Sequence, residues 1–269
     1  MSRLAIDDAG EGTPVVLLHG LTATRRYVVM GSRSLERSGH RVVAYDARGH
    51  GESEPAETPD AYEYADLADD LLAVLDARGI DRAVLAGASM GAHTALRVAL
   101  EHPERVAGLC VITPAYVPEE LENGPRLARW DRLSNGLRTG GVEGFVDAYG
   151  DEGAGPRYRE TIVKVLRQRL ALHQHPDAVA DALRVVPRSA PFATLDDLRA
   201  ITAPTVVVAD RDEADPGHPL AVGEAYARAI PGATLVVEEE GKSPLAWQGG
   251  QLSRVIAELA ARATVPGGA

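Results

Sequence analysis

The sequence has a single cysteine, few aromatic residues and no long apolar run, and each shortage argues against a class of protein. Cys110 cannot form a disulfide within the chain, and its place in the apolar run 106–112 indicates a small buried side chain. Aromatic residues make up 4% of the chain, which disfavours the stacking platforms that bind single-stranded nucleic acid. No apolar run approaches the roughly 18 residues that a membrane-spanning helix needs.

Positive charge is also scarce, because 28 Lys and Arg residues face 39 Asp and Glu residues, which gives a net charge of −11. There is no basic cluster, so the charge argues against nucleic acid or an anionic membrane as a partner. The N-terminal residues lack the apolar core of a signal peptide, and we therefore expect a cytoplasmic protein. We expect a monomer or a homodimer whose partner is a small molecule.

The length of 269 residues suits one large α/β domain in which apolar strand-like runs alternate with amphipathic helical segments. Such alternation predicts a mostly parallel, doubly wound sheet covered by helices on both faces. The predicted strands are 4–6, 15–18, 41–45, 82–86, 106–112, 205–209 and 234–237. The predicted helices of this core are 31–38, 60–78, 92–100, 219–230 and 247–262.

The alternation stops between residues 116 and 195, where strand signals vanish and helical periodicity recurs between short Pro- and Gly-containing links. We expect residues 1–115 and 196–269 to form the core and residues 116–195 to form a helical cap. Such a cap would cover the carboxyl edge of the sheet, where open α/β folds bind ligands. The alternative is a helical decoration without a lid role. Residues 264–269 are expected to be a disordered tail.

The segment Gly87-Ala-Ser-Met-Gly91 lies between a predicted strand and a predicted helix. A G-x-S-x-G motif in that setting is typical of a nucleophile elbow, a sharp turn that exposes the hydroxyl of Ser89. Side chains at positions 87 and 91 would collide with neighbouring elements. The helix that begins at Met90 directs N–H groups towards any oxyanion beside Ser89. The alternative is a Gly-rich turn in which the serine only caps the helix.

Four motifs occur in order along the chain: His19-Gly20, Asp46-Ala-Arg-Gly-His-Gly-Glu-Ser53, the segment 87–91, and Ala209-Asp-Arg-Asp212. Together they resemble the α/β-hydrolase superfamily over about residues 4–262. Within that superfamily the sequence looks like small bacterial esterases, lactonases and enol-lactone hydrolases. The resemblance implies an α/β-hydrolase fold with a helical cap and a reaction that needs no cofactor.

The resemblance also implies roles for individual residues. Ser89 would be the nucleophile, and the backbone N–H groups of Leu21 and Met90 would form the oxyanion hole. His19 is expected to stabilise the oxyanion loop. The candidates for substrate binding are His19, Gly20, Tyr116 and Trp130.

The family places its acid about three residues beyond the late strand that ends at residue 209, which favours Asp212, with Asp210 and Asp215 as nearby alternatives. It places its histidine base in the loop after the last strand, usually directly after a glycine. In this sequence Lys242 occupies that position, and no histidine follows His218. The third member of the expected triad is therefore absent from its usual place.

A lysine with an ordinary pKa of about 10.4 is protonated at pH 7 and cannot accept the proton of Ser89. Burial could lower that pKa, but the acidic run 238–240 would hold the charge on. Lys242 is thus an ion-pair partner of Asp212, an unusual base, or a replacement of an original histidine. His218, in the loop after the acid strand, could serve as the base from another direction or could bind substrate.

We therefore expect a serine hydrolase that cleaves a carboxylic ester or lactone through an acyl-enzyme on Ser89, with an atypical base or a disabled triad. The alternative is a family member that does not hydrolyse its ligand, either a binding protein or a lyase or isomerase that uses the pocket and oxyanion hole. His173 and His175 have a spacing that could suit a metal, but no clustered carboxylate or cysteine accompanies them, so no metal site is expected.

Overall fold

The computed structural model describes residues 3–150, 157–213 and 215–263, and they form a seven-stranded sheet with helices on both faces. The spatial order of the strands is β1-β3-β2-β4-β5-β6-β7. All neighbouring strands are parallel except β1, which pairs antiparallel with β3 at one edge. The strands are β1 Ile6–Ala9, β2 Thr13–Leu18, β3 His40–Tyr45, β4 Ala83–Ala88, β5 Val106–Ile112, β6 Thr205–Ala209 and β7 Thr234–Val237.

Eight α-helices connect or flank these strands within the described residues. They are α1 Ser34–Arg37, α2 Tyr64–Ala77, α3 Met90–Glu101, α4 Gly124–Tyr149, α5 Arg159–Leu170, α6 Pro176–Val185, α7 Leu220–Ala229 and α8 Gly249–Arg262. None of the helices described is long and apolar enough to cross a membrane. The expectation of a disordered tail concerns residues 264–269, which lie outside the described part of the chain.

The core consists of two apolar layers, one on each face of the sheet. Helices α2, α3 and α7 contribute to the layer that contains Leu85 and Leu109, whereas α8 contributes to the layer that contains Val84 and Cys110. Every residue of β5 is buried, as the continuous apolar run of the sequence predicts for a strand covered on both faces. The predicted α/β-hydrolase architecture is thereby confirmed.

Local boundaries differ from the predicted ones where the periodicity is weak. The first strand begins at Ile6 rather than residue 4, because its pairing with β3 joins Ile6 to Tyr45 and continues to Ala9. Helix α1 is one turn only, ending at Arg37 before Gly39, whose φ of +84° favours glycine. Helix α4 is continuous across the glycine-containing segment at residues 140–141 except at Gly141, where a φ of +59° introduces a kink.

The segment between β5 and β6 is helical in its described residues and has an apolar cluster of its own, formed by α4, α5 and α6. We call α4–α6 the helical segment. Its contacts with the core include His173, which accepts a 2.8 Å hydrogen bond from Gly51 N through Nδ1 and donates a 3.1 Å bond to Thr22 O through Nε2. The side chain of Leu21 packs against this helical cluster. The helical segment therefore lies against the loop that carries residues 19–22.

Candidate active site

Ser89 occupies a strained turn between β4 and α3. Its φ of +50° and ψ of −112° lie in a region that non-glycine residues seldom adopt. A Cβ on Gly87 would lie 2.3 Å from Gly91 O, and one on Gly91 would lie 2.3 Å from Leu18 O. Close backbone contacts therefore require glycine at both positions, as the motif predicts, and the turn presents the Ser89 side chain at the carboxyl end of β4.

The loop after β2 runs directly beside this serine. A Cβ on Gly20 would lie 3.3 Å from Ala88 O and 3.4 Å from the Cβ of Ser89. Among the described residues, neither Leu21 N–H nor Met90 N–H donates a hydrogen bond within the protein. Met90 is the first residue of α3, whose N-terminal N–H groups have no partner within the helix. Two backbone N–H groups without a partner among the described residues thus lie in the loop beside Ser89 and at the start of α3.

A chain of hydrogen bonds joins Ser89 to an imidazole and a carboxylate. Ser89 Oγ donates to Nε2 of His218 at 2.9 Å, and Nδ1 of His218 donates to Oδ2 of Asp215 at 2.8 Å. An ionised carboxylate can only accept a hydrogen bond, so the proton of the neutral imidazole lies on Nδ1 and Nε2 is the acceptor. The structure therefore brings one of the sequence candidates, His218, into the position that a general base requires.

The acid and the imidazole come from one tight turn in the loop between β6 and α7. The N–H of His218 donates a 3.1 Å hydrogen bond to Asp215 O, which closes the turn Asp215-Pro-Gly-His218. Aspartate at the first position and proline at the second favour such a turn, and the turn brings its first and fourth residues together. This local signal could have identified Asp215 from the sequence, but position relative to the strand favoured Asp212.

Burial and mutual attraction have opposite effects on the pKa values of Asp215 and His218. Burial raises the pKa of Asp215, but the charge and hydrogen bond of His218 outweigh it, so the pKa of Asp215 is lowered from its ordinary value. Burial lowers the pKa of His218, but the carboxylate of Asp215 outweighs it, so the pKa of His218 is raised above 6.5. Asp215 therefore stabilises the imidazolium that forms when His218 takes a proton.

The structure corrects the expectations for Asp212 and Lys242, because it brings neither side chain to Ser89. Asp212 is exposed, and its Oδ1 accepts a 2.7 Å hydrogen bond from Leu220 N at the start of α7. Lys242 is exposed in the turn after β7, where its backbone N–H bonds to Glu239 O at 3.0 Å. Among the described residues Lys242 has no ion pair with Asp212 within 4 Å, so the expected pairing is absent too.

Asp210, the other acid considered, is fully buried at the end of β6. Its Oδ1 accepts a 3.2 Å hydrogen bond from Ala246 N, while its Oδ2 has no hydrogen-bond partner. Burial raises the pKa of Asp210 to about 7, with the nearby carboxylates of Asp215 and Glu238 acting in the same direction. Asp210 therefore interacts with His218 through its charge and forms no hydrogen bond to the imidazole.

The proposed substrate-binding residues have different surroundings. His19 is buried, and its Nε2 accepts a 2.8 Å bond from Ala47 N while its Nδ1 donates to Gly20 O at 2.8 Å, so it supports the loop. Gly20 lies beside Ser89 as described. Tyr116 is buried in the core and donates a 3.1 Å hydrogen bond to Phe192 O, so its pocket role stays a prediction. Trp130 is half-buried and packs against the apolar cluster of the helical segment.

Within the described residues, no group of three or more His, Cys, Asp or Glu side chains could hold a metal ion. His173 bonds to backbone groups through both ring nitrogens, and burial lowers its pKa to about 4. It is therefore a neutral imidazole that ties the helical segment to the core. This role was not anticipated from the sequence, because its partners lie 122 and 151 residues away.

Residues 13–248 match the family described as the alpha/beta hydrolase fold. The chain belongs to this family. A relative from Pseudomonas putida, 2-hydroxy-6-oxononadienedioate/2-hydroxy-6-oxononatrienedioate hydrolase 2, is 30% identical over 87% of this chain and 83% of its own length. Several other curated relatives of α/β-hydrolase type match over only about half of their length or less.

Solved structures with the same fold include enzymes that act on esters and lactones. Est816, described as an N-acyl homoserine lactone degrading enzyme, is 27% identical with a TM-score of 0.75 over 97% of this chain and 96% of its own. A thermophilic esterase from Thermogutta terrifontis is 28% identical with a TM-score of 0.77 over 97% of this chain and 94% of its own. The Pseudomonas putida relative is therefore a hydrolase, and the two solved structures are described as a lactone-degrading enzyme and an esterase.

Proposed function

We propose that the protein is a serine hydrolase that cleaves carboxylic esters or lactones through an acyl-enzyme on Ser89. The observation that carries the proposal is the continuous hydrogen-bonded chain from Ser89 Oγ through His218 to Asp215. The expected loss of the base was the reason to consider a non-hydrolytic protein. The hydrogen bond of His218 to Ser89 from a different loop supports a hydrolase over that alternative.

In the first step, His218 Nε2 takes the hydroxyl proton while Ser89 Oγ attacks the carbonyl carbon of the substrate. The negative charge that develops on the carbonyl oxygen is stabilised by the N–H groups of Leu21 and Met90. The tetrahedral intermediate collapses, His218 passes its proton to the leaving alkoxide, and an ester links the acyl group to Ser89. Asp215 holds the imidazole in orientation and stabilises its charged form.

In the second step, His218 removes a proton from a water molecule that attacks the acyl carbon, and His218 then returns the proton to Ser89 Oγ as the acid leaves. For a lactone, the alcohol and acid are parts of one product, so the reaction opens the ring. The helical segment, held over the loop at residues 19–22 by His173, would limit access to Ser89 as a cap. The chemistry needs no cofactor, since nucleophile, base and oxyanion donors all belong to the chain.

The test is hydrolysis of p-nitrophenyl acetate and butyrate by the parent protein and by Ser89→Ala, His218→Ala and Lys242→Ala variants. Loss of either triad side chain should reduce kcat by about 10³-fold or more. Lys242→Ala is the matched control. Its kcat should remain within about twofold of the parent value, because Lys242 is exposed and forms no hydrogen bond to Ser89, His218 or Asp215.

A fluorophosphonate should also label the parent protein at one serine and leave Ser89→Ala unlabelled. Hydrolysis that survives in Ser89→Ala would reject the acyl-enzyme. Activity that depends on Lys242 and not on His218 would reject the assignment of the base.

A further inference from the structure

Arg169, in the last turn of α5, carries a positive charge that acts electrostatically on residues of the proposed active site. Its buried Nε atom has no hydrogen-bond partner, and within the described residues Arg169 forms no ion pair within 4 Å. Arg167, two residues earlier in the same turn, points to the surface and bonds to Glu143 at 2.7 Å. The two side chains are chemically identical, but Arg167 is exposed and ion-paired, whereas Arg169 has a buried Nε atom and no ion pair among the described residues.

The surroundings of Arg169 are those of the proposed catalytic residues. Burial lowers the pKa of Arg169, while the charge of Asp215 opposes this, and the charge of Arg169 in turn lowers the pKa values of His218 and His19. It acts in the same direction on the pKa of His173. One guanidinium is thus within electrostatic reach of the base, its acid and the loop of the oxyanion donors. Arginine remains charged even when enclosed.

Two other partly enclosed arginines have carboxylate partners, whereas Arg126 bonds to a backbone carbonyl, Pro187 O, at 3.0 Å. Arg25 pairs with Asp46, and Arg48 binds Asp70 through two hydrogen bonds of 2.7 and 2.8 Å. A buried polar atom without a partner carries a desolvation cost, which is larger when the group is charged. In addition, the positive charge of Arg169 disfavours protonation of His218, and the proposed reaction requires that protonated form. An anion bound to Arg169 would remove both costs.

We propose that Arg169 binds an anionic group of the substrate, so that the preferred ester or lactone carries a carboxylate. This inference rests on the proposed hydrolase function and adds the class of substrate. The planar guanidinium suits a carboxylate, because two parallel N–H donors can reach its two oxygens. The carboxylate would lie beneath the helical segment with the scissile carbonyl at Ser89, so Arg169 would select substrates by charge.

The test compares two esters with acyl chains of equal length, mono-p-nitrophenyl glutarate and p-nitrophenyl valerate. The parent protein should prefer the glutarate ester in kcat/KM. Arg169→Gln should lower kcat/KM for the glutarate ester by about 10- to 100-fold, in line with the loss of a charge-assisted hydrogen bond, and should not lower it for the valerate ester. Arg167→Gln is the matched control and should change neither value. Should Arg169→Gln fail to fold, Arg169→Lys should still lose several-fold on the glutarate ester alone.

An equal loss on both esters would overturn the proposal, since Arg169 would then act on the Asp215–His218 pair rather than on substrate. A parent protein without preference for the glutarate ester would overturn it as well. Binding of free glutarate, measured by calorimetry with Ser89→Ala, gives a readout without turnover and should be lost in Ser89→Ala/Arg169→Gln. If neither ester is cleaved, the hydrolase proposal fails, while Arg169-dependent glutarate binding would still support the anion site.

Discussion

Replacing Asp215 by asparagine tests whether the acid of the site lies in the turn with His218 or three residues earlier. The carboxylate oxygen is 2.8 Å from Nδ1 of His218, so at an effective dielectric constant of about 20 the attraction for an imidazolium is about 6 kcal/mol. About a quarter of each side chain is exposed, and solvent screening reduces this to roughly 3–5 kcal/mol. Since 1.36 kcal/mol corresponds to tenfold, Asp215→Asn should lower kcat by about 10²- to 10⁴-fold.

The matched control is Asp212→Asn, the same chemical change three residues away. Its amide oxygen can still accept the hydrogen bond from Leu220 N, so kcat should remain within about threefold. The assay is hydrolysis of p-nitrophenyl butyrate, with circular dichroism to show that both variants fold. A larger loss for Asp212→Asn than for Asp215→Asn would refute the reasoning and restore the assignment made from spacing along the sequence.

Three further predictions concern pH and stability. The value of kcat/KM should rise with pH through a pKa above 6.5 and then level off, because His218 is a base only when neutral; a rate that falls over that range would contradict this role. His173 has a pKa of about 4 in the folded protein and about 6.5 in the unfolded chain, so between these values the unfolded chain binds more protons. The free energy of unfolding should therefore decrease as the pH is lowered from about 6.5 to 4. His173→Gln should remove about 2 kcal/mol of that fall between pH 7 and pH 5 in urea titrations, and an unchanged slope would show that His173 does not contribute. Gly91→Ala should fail to fold or lose more than about 3 kcal/mol, because its Cβ would lie 2.3 Å from a backbone carbonyl, whereas Gly250→Ala has open space and should fold normally.

Much of the fold could be predicted because its signals are local. Continuous apolar runs mark strands buried on both faces, and the sequence places all seven to within a few residues. The ends of strands and helices are predicted least well where strand pairing or a glycine determines them, as at Ile6 and Gly141. The long helical segment was also visible, since a change of periodicity from strands to helices needs no knowledge of distant contacts.

The surroundings of individual polar side chains were harder to predict. Tyr116 was expected to line a pocket, yet the core packs around it and its hydroxyl bonds to a backbone carbonyl. Nothing in the sequence distinguishes Arg167 from Arg169, although Arg167 is exposed and bonds to Glu143, whereas the Nε atom of Arg169 is buried without a partner. Such differences follow from the rotation of a helix against its neighbours.

The sequence by itself determined the sheet, the helical segment and the strained turn at Ser89, because glycine spacing and apolar periodicity act over a few residues. Only the tertiary structure decided which residues complete the site. Ser89 and His218 are 129 residues apart, and their contact depends on the path of the loop after β6 across the carboxyl edge of the sheet. Spacing therefore favoured Asp212 and Lys242, whereas the closed turn at residues 215–218 brings a carboxylate and an imidazole to the serine.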